Sequence, residues 1–314
     1  MRRTALIVLL LSLMRITPAV AEGQGIVAAR AVKGEAIAHL EAARELIDSG
    51  QTLAGIAEQT RAIELNPFDA AAFRQRAEAW HLHKRYELAV ADYTRALQLS
   101  PRDAQSHFGR GLSLHALGDA TRALENYAKA AALRPGWSEP YRMRGHALMA
   151  QGRYPQAAVD FRRGLDEDPK DVANLVGLGY ARLYMGELPV AADNFVRALR
   201  LSNDMRAMLF LYIVRARQGI DGRAELERHA NRVPRKAWPN PVLQLYLGAR
   251  EPQSVLAEAR GEQQECEAHF YVGQWQLLKG QRPDALASMT QALKRCIKTQ
   301  IEYEAAVAAL GIAR

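Results

Sequence analysis

The sequence lacks the motifs that carry common enzyme chemistry. It contains no HExxH zinc-protease motif, no GxSxG nucleophile motif and no glycine-rich phosphate loop at a strand–helix junction. No segment has the pattern of a strand that would carry such a loop. We therefore expect no catalytic residue, no resident metal and no cofactor, and a protein that acts by binding.

Long hydrophobic runs are absent as well, apart from one near the N-terminus. Residues 5–14 form an apolar run of ten residues that follows two arginines. The run is too short to cross a bilayer, which takes about 20 residues. Ala19 and Ala21 then provide small residues at the two positions that a signal peptidase reads. We predict a signal peptide over residues 1–21, cut after Ala21, and a periplasmic or secreted protein without stable membrane insertion.

A cysteine near the predicted cut and a concentrated positive charge are both missing. Without that cysteine, we expect no lipoprotein acyl chain. The formal net charge is +8, and removing the three arginines of the predicted signal leaves +5. Basic residues are spread along the chain rather than clustered, so we expect no nucleic-acid partner.

What the sequence does contain is a regular period. Pro67, Pro101, Pro135 and Pro169 follow one another at intervals of 34 residues. A period of this length with small residues at fixed offsets is typical of stacked helix–turn–helix units. With each proline taken as position 32, four units align without a gap. They span residues 70–101, 104–135, 138–169 and 172–203.

Four positions of the unit hold the residue types that such stacking requires. Positions 8, 20 and 27 are small, where helices press together, and position 24 is large and fills the space between units. The pattern resembles the tetratricopeptide repeat and predicts an all-α, right-handed superhelical solenoid of helix–turn–helix hairpins. At positions 8, 20, 24 and 27 the units carry Ala77, Ala89, Tyr93 and Ala96; Gly111, Ala123, Tyr127 and Ala130; Gly145, Ala157, Phe161 and Gly164; and Gly179, Ala191, Phe195 and Ala198.

The turn of each hairpin and the start of the array are less regular. A weaker unit at residues 36–67 has Gln59 at the large site, and we interpret it as an end-capping repeat with a polar outer face. Residues 22–35 are predicted to form a flexible arm. Lys84 stands where the other units have a glycine suited to a helix C-cap. Those glycines are Gly118, Gly152 and Gly186.

Arginine recurs at position 7 and allows two interpretations. Three aligned arginines suggest an anion-binding ladder. Position 23, however, carries Asp or Asn, which the second helix presents toward the first. We favour bonds within each hairpin, because a bidentate arginine–carboxylate pair joins two helices well. The pairs are Arg76 with Asp92, Arg110 with Asn126, and Arg144 with Asp160.

The first helices of the units line the concave face of such a solenoid. We predict that this groove binds proteins or peptides, since aromatic side chains flanked by arginine are typical of recognition surfaces. Aromatic rings equally suit stacking on sugars, so a cell-wall glycan remains an alternative ligand. Histidines of neighbouring units would lie roughly 10 Å apart, too far to share a metal. The predicted groove residues are Arg74, Glu78, His81, Phe108, Leu112, His115, Arg142, His146, Tyr180 and Tyr184.

The period blurs after residue 203. Residues 204–260 are predicted to form a degenerate hairpin and a connector in which Trp238 is flanked by prolines. The pattern returns over residues 261–314, as a last hairpin followed by a capping helix that covers its open end. Cys266 and Cys296 fall at the same end of that hairpin, so we predict a disulfide, worth about 3 kcal/mol for a loop of this size.

Short motifs of this last third resemble the NlpI-type periplasmic tetratricopeptide proteins of Gram-negative bacteria. They are Leu209–Tyr212, the Trp238 link, Leu245–Gly248, Phe270–Gly273 and Glu302-Tyr303. The resemblance implies an all-helical homodimeric scaffold, or adaptor, that presents murein hydrolases to a periplasmic protease. Members of that family carry a lipid-anchored cysteine at the signal cut, which this sequence lacks, so tethering is not implied. A scaffold for another envelope assembly is the alternative.

Overall fold

The structure is a computed structural model that describes residues 18–234, 237–298 and 300–311. Within these residues the chain forms 17 helices and no strand. Most of the predicted signal peptide, residues 1–17, lies outside them. None of the described helices combines the length and the apolar composition that a membrane crossing requires. The predicted all-α fold is confirmed.

The described chain divides into two compact units, which meet between Pro101 and Arg102. The first unit holds two hairpins, formed by α1 with α2 and by α3 with α4. Residues 22–35 are helical, so the prediction of a flexible arm was wrong. Their three alanines and the lack of a proline allow α1 to extend without a break. The helices are α1 (Pro18–Asp48), α2 (Thr52–Leu65), α3 (Ala70–Leu82) and α4 (Tyr86–Leu99).

The second unit continues the hairpins and ends in shorter helices. Each pair from α5 with α6 to α11 with α12 packs together, as do α15 and α16. The predicted degenerate hairpin is α11 with α12, and α13 and α14 follow the connector. The helices are α5 (Ala104–Leu117), α6 (Ala120–Leu133), α7 (Ser138–Ala150), α8 (Tyr154–Glu167), α9 (Val172–Tyr184), α10 (Leu188–Leu201), α11 (Met205–Arg217), α12 (Arg223–Ala230), α13 (Asn240–Tyr246), α14 (Pro252–Glu258), α15 (Gly261–Leu278), α16 (Arg282–Arg295) and α17 (Ile301–Leu310).

The small and large sites of the repeat pack against each other. A Cβ added to Gly145 would lie 2.9 Å from the ring of Phe161, and one added to Gly179 would lie 2.8 Å from the ring of Phe195. Both rings are fully buried. Glycine is therefore required in these two hairpins, because the aromatic ring of the same repeat occupies the space that a larger side chain would need.

The recurring arginines staple the hairpins, as predicted. Arg144 Nε and Nη2 donate to the two carboxylate oxygens of Asp160 at 2.7 and 2.5 Å. Arg76 forms the same bidentate pair with Asp92 at 2.7 and 2.8 Å. In the repeat between these two, Arg110 Nε donates the corresponding hydrogen bond to the Asn126 amide oxygen at 3.0 Å.

The turn of the α3–α4 hairpin carries the one non-glycine residue with a positive φ in the described chain, Lys84 at 58°. We predict that Lys84→Gly raises the free energy of unfolding by about 0.5 kcal/mol, because relief of the left-handed strain exceeds the entropy that glycine adds to the unfolded chain. His83→Gly is the control, since His83 has a φ of −81° and gains nothing from glycine. Urea unfolding of both variants measures the difference, and equal shifts would contradict it.

The last hairpin is closed by the predicted disulfide. Cys266, in α15, is bonded to Cys296, directly after α16, with their Cα atoms 4.8 Å apart. Beside it, Arg295 Nε donates to Glu265 Oε2 at 3.0 Å. The end of α16 is thus held against α15 immediately before the chain continues into α17.

Candidate functional site

An open groove lies in the first unit, between α1, α2 and α3. It encloses about 410 Å³. Its wall includes two large apolar side chains that face solvent, Leu82 at 68% exposure and Ile37 at 47%. Arg74 and Glu78 line it as predicted and pair with each other, with 2.8 Å between Nη1 and Oε1. His81 packs on the Tyr86 ring instead, with centroids 5.2 Å apart, and burial lowers its pKa.

Gln59 lines the same groove and corrects the prediction for the first repeat. Its side chain is buried, at 3% exposure, rather than part of a polar outer face. Position 24 of the repeat faces the interior, whichever residue occupies it. The Gln59 amide is therefore buried where the other repeats bury an aromatic ring. The amide oxygen has no hydrogen-bond partner within the described chain. A ligand that brings an N–H into this groove would satisfy it.

The second unit does not present the open face that the sequence predicts. Phe108 and Leu112 are half-buried. His115, His146 and Tyr180 are buried, at 4%, 7% and 1% exposure. The prediction that His115 and Tyr180 line an accessible groove is therefore wrong for this structure, whereas His146 lines the cavity of about 750 Å³ described below.

For His146, on α7, the reason is the C-terminal helix. Rather than covering only the open end of the last hairpin, α17 packs back against α7 and also contacts α15 and α16. His146 Nδ1 lies 3.1 Å from Glu304 Oε2, in a hydrogen bond between residues 158 positions apart. Lys298 Nζ donates to the carbonyl oxygen of Leu117 at 3.3 Å. The chain thus covers part of the predicted groove of α7 with its own helix.

The helix α17 brings two carboxyl groups into this interior. Glu302 is 5% exposed and Glu304 is 1% exposed. Burial raises the pKa of Glu302 to about 7, against the opposing effect of the Arg206 charge. Burial also raises the pKa of Glu304 well above its ordinary value and lowers that of His146 to about 3. Both shifts favour a neutral pair, in which Glu304 keeps its proton and His146 carries no charge.

The predicted aromatic anchors contact each other. The Tyr180 hydroxyl donates to the Tyr184 hydroxyl at 3.2 Å, and the Tyr184 ring lies 5.2 Å from that of Tyr154. Phe108 packs on Trp137, with centroids 4.6 Å apart. The buried ring of Tyr180 is not accessible for stacking on a sugar.

A second cavity, of about 750 Å³, opens beside the first turn of α17. Arg142, a predicted groove residue, lines it together with Arg206, Arg232 and Trp238. Arg206 Nη2 donates to Asp204 at 2.9 Å. The Trp238 indole N–H donates to Glu267 Oε2 at 2.6 Å. Along the described residues, no three His, Cys, Asp or Glu side chains are grouped so that they could hold a metal ion.

Comparison with known families identifies the repeat. Two family models match, one described as "TPR repeat" over residues 81–118 and one described as "Tetratricopeptide repeat" over residues 142–203. No curated protein matches the sequence.

Solved structures of similar fold agree with the family models. The PilF protein of Pseudomonas aeruginosa is 16% identical, with a TM-score of 0.59, over 70% of this chain and 100% of that chain. YrrB, described as a TPR protein with an unusual peptide-binding site, is 21% identical, with a TM-score of 0.50, over 58% of this chain and 95% of that chain. MamA of Desulfovibrio magneticus is 17% identical, with a TM-score of 0.51, over 53% and 94%. The chain thus contains tetratricopeptide repeats over residues 81–118 and 142–203, and its fold is that of solved tetratricopeptide repeat structures.

Proposed function

We propose that this protein is a non-enzymatic scaffold that binds a peptide or protein segment on the first helices of its repeats. The observation that carries the proposal is the open groove of the first unit, where Leu82 and Ile37 present apolar surface at 68% and 47% exposure. Exposed large apolar side chains around a groove mark binding surfaces. The peptide-binding site named for YrrB supports the same use of the fold by analogy.

The location and the partners extend this proposal. The predicted signal peptide supports a periplasmic protein, and the resemblance of the last third supports a homodimeric adaptor between murein hydrolases and a protease. A scaffold for another envelope assembly would use the same groove. A glycan ligand is less well supported, because Tyr180 is buried.

The test is partner capture by two matched variants. Leu82→Ser removes apolar surface from the groove. Leu88→Ser removes it from α4, outside the groove, where Leu88 is 40% exposed. Burying a leucine against a partner is worth about 1.5–3 kcal/mol, so we expect Leu82→Ser to reduce capture from envelope extract by at least tenfold. Leu88→Ser should retain wild-type capture.

Two outcomes would contradict the proposal. One is capture of the same proteins at the same level by the wild type and both variants. The other is co-sedimentation with purified murein that depends on Leu82, in the absence of any protein partner, since this would favour the glycan ligand.

A further inference from the structure

The helix α17 has an unusual composition for a segment so deeply buried. Every residue from Ile301 to Val307 is less than 9% exposed. Two of these seven residues are acidic, Glu302 and Glu304, and four others are small or β-branched. Burying a carboxyl group is costly unless polar partners receive it. A helix that only caps the hydrophobic end of a repeat array needs no buried carboxyl group. The two acidic residues therefore point to a further role of α17.

The surfaces around α17 supply polar partners on both sides. On the α7 side, His146 bonds to Glu304 at 3.1 Å. On the α15 side, the Tyr271 hydroxyl donates to Glu302 Oε1 at 3.3 Å. The Arg206 charge, from α11, also acts on Glu302. We call the space that α17 occupies the channel. Its walls provide polar partners for two carboxyl groups that are two residues apart.

The remaining charged and titratable groups of the channel are few. Burial raises the pKa of Tyr127 and of Tyr180, and the nearby Glu304 raises both further. Glu267, from α15, faces Glu302 and opposes its ionisation. Arg142 and Asp171 act on His146, with opposite signs. The channel thus favours an acidic helix whose carboxyl groups are protonated or paired.

The fit of α17 is incomplete. The second carboxyl oxygen of Glu304 is buried without a hydrogen-bond partner in the described chain. The last turn of α17 is only half-buried. Before α17, the disulfide fixes Cys296 to α15, so the link to α17 starts from a fixed point on the last hairpin.

We propose that the channel between α7, α15 and α16, with Arg206 of α11 beside it, is a binding site for a helical segment of a partner protein, with two acidic residues two positions apart among small apolar residues. The helix α17 is the internal ligand that occupies the site until the partner replaces it. The inference rests on the proposed protein-binding function and specifies the partner's chemistry. A tethered competitor acts at a high effective concentration, so the site is closed to weak ligands.

The test uses a labelled synthetic peptide of residues 300–311 and the full chain. Ala305 is fully buried, so Ala305→Lys ejects α17 and empties the channel. We expect the peptide to bind the Ala305→Lys protein at least 100-fold more tightly than the wild type. A Glu304→Lys peptide should lose this binding, and a charge-matched Gly311→Lys peptide should keep it, because Gly311 is exposed.

Three results would overturn the inference. They are a folded Ala305→Lys protein that binds no peptide, equal peptide affinity for both proteins, and a stable Ala305→Lys dimer that blocks the peptide, which would make a second copy the occupant. If the peptide does not bind, but Leu82→Ser still reduces partner capture as expected, this inference is refuted and the proposed function stands.

If the Ala305→Lys protein does not fold, an experiment on the wild-type protein tests the inference. Saturating unlabelled peptide should accelerate hydrogen exchange of the α17 amides in ¹⁵N-labelled protein at least tenfold and leave α9 unchanged. An unchanged exchange rate in α17 would refute a displaceable helix.

Discussion

Replacing Phe161 with alanine is expected to lower the free energy of unfolding by about 3–5 kcal/mol. The ring is fully buried and fills the space that Gly145 leaves empty in the same hairpin. A Cβ at Gly177, in the next repeat, would also meet this ring. One side chain thus joins two repeats, and its removal leaves a cavity that two rigid helices cannot close.

The matched control is Val159→Ala in the same helix, α8. Val159 is 48% exposed, so its truncation removes little buried surface and should cost less than 1 kcal/mol. Urea unfolding followed by far-ultraviolet circular dichroism measures both variants. A loss below 1 kcal/mol for Phe161→Ala would show that the repeat interface does not depend on this ring.

Replacing Asp160 with alanine is expected to cost about 2–3 kcal/mol. The Asp160 side chain is 4% exposed and that of Arg144 is 26% exposed. Alanine leaves the guanidinium half-buried without its carboxylate, which costs more than the pair contributes. Because Arg144 still reaches some solvent, we place the loss below the 3–5 kcal/mol of a fully buried pair.

The neighbouring repeat provides the control. There, Asn126 accepts one bond from Arg110 Nε at 3.0 Å in place of the carboxylate. Asp160→Asn should therefore keep one hydrogen bond and cost only about 1 kcal/mol. Equal losses for the alanine and asparagine variants, measured by the same urea unfolding, would contradict a staple based on these bonds.

The repeat could be predicted from the sequence because its contacts are local. Phe161 lies 16 residues from Gly145, and Asp160 lies 16 residues from Arg144, so the same offsets recur in every unit. The Cys266–Cys296 disulfide follows from the same hairpin geometry. Each of these contacts depends only on two helices joined by a short turn.

The state of the groove could not be predicted in this way. The position of His146 places it on the first-helix face, but its exposure depends on Glu304, 158 residues away. No periodic pattern links α17 to α7, because α17 follows the last repeat. The one feature of the sequence that distinguishes α17 from a simple capping helix is its two acidic residues among alanines. Gln59 was misinterpreted for a related reason, since the polarity of a residue does not decide which way its position points.

The helix α17 lies in its channel as a displaceable ligand rather than as part of the core. Protonation provides the test. When α17 is docked, Glu302 keeps its proton up to a pH of about 7, because burial raises its pKa from 4.5. Undocked, the carboxyl ionises near its ordinary pKa, so docking takes up a proton between these values and weakens as the pH rises.

The His146–Glu304 pair acts in the same direction. Docked, the pair keeps one proton, because burial raises the pKa of Glu304 and lowers that of His146. Undocked, it loses that proton above the ordinary pKa of histidine, 6.5. From pH 5 to pH 8, the docking equilibrium should therefore weaken by about 100-fold or more.

Hydrogen exchange of the wild-type protein at pH 5 and pH 8, corrected for intrinsic rates, measures this directly. We expect the α17 amides to be as protected as those of α9 at pH 5 and to exchange about 100-fold faster than them at pH 8. Equal protection of α17 and α9 at both pH values would show that α17 belongs to the core and would contradict the account.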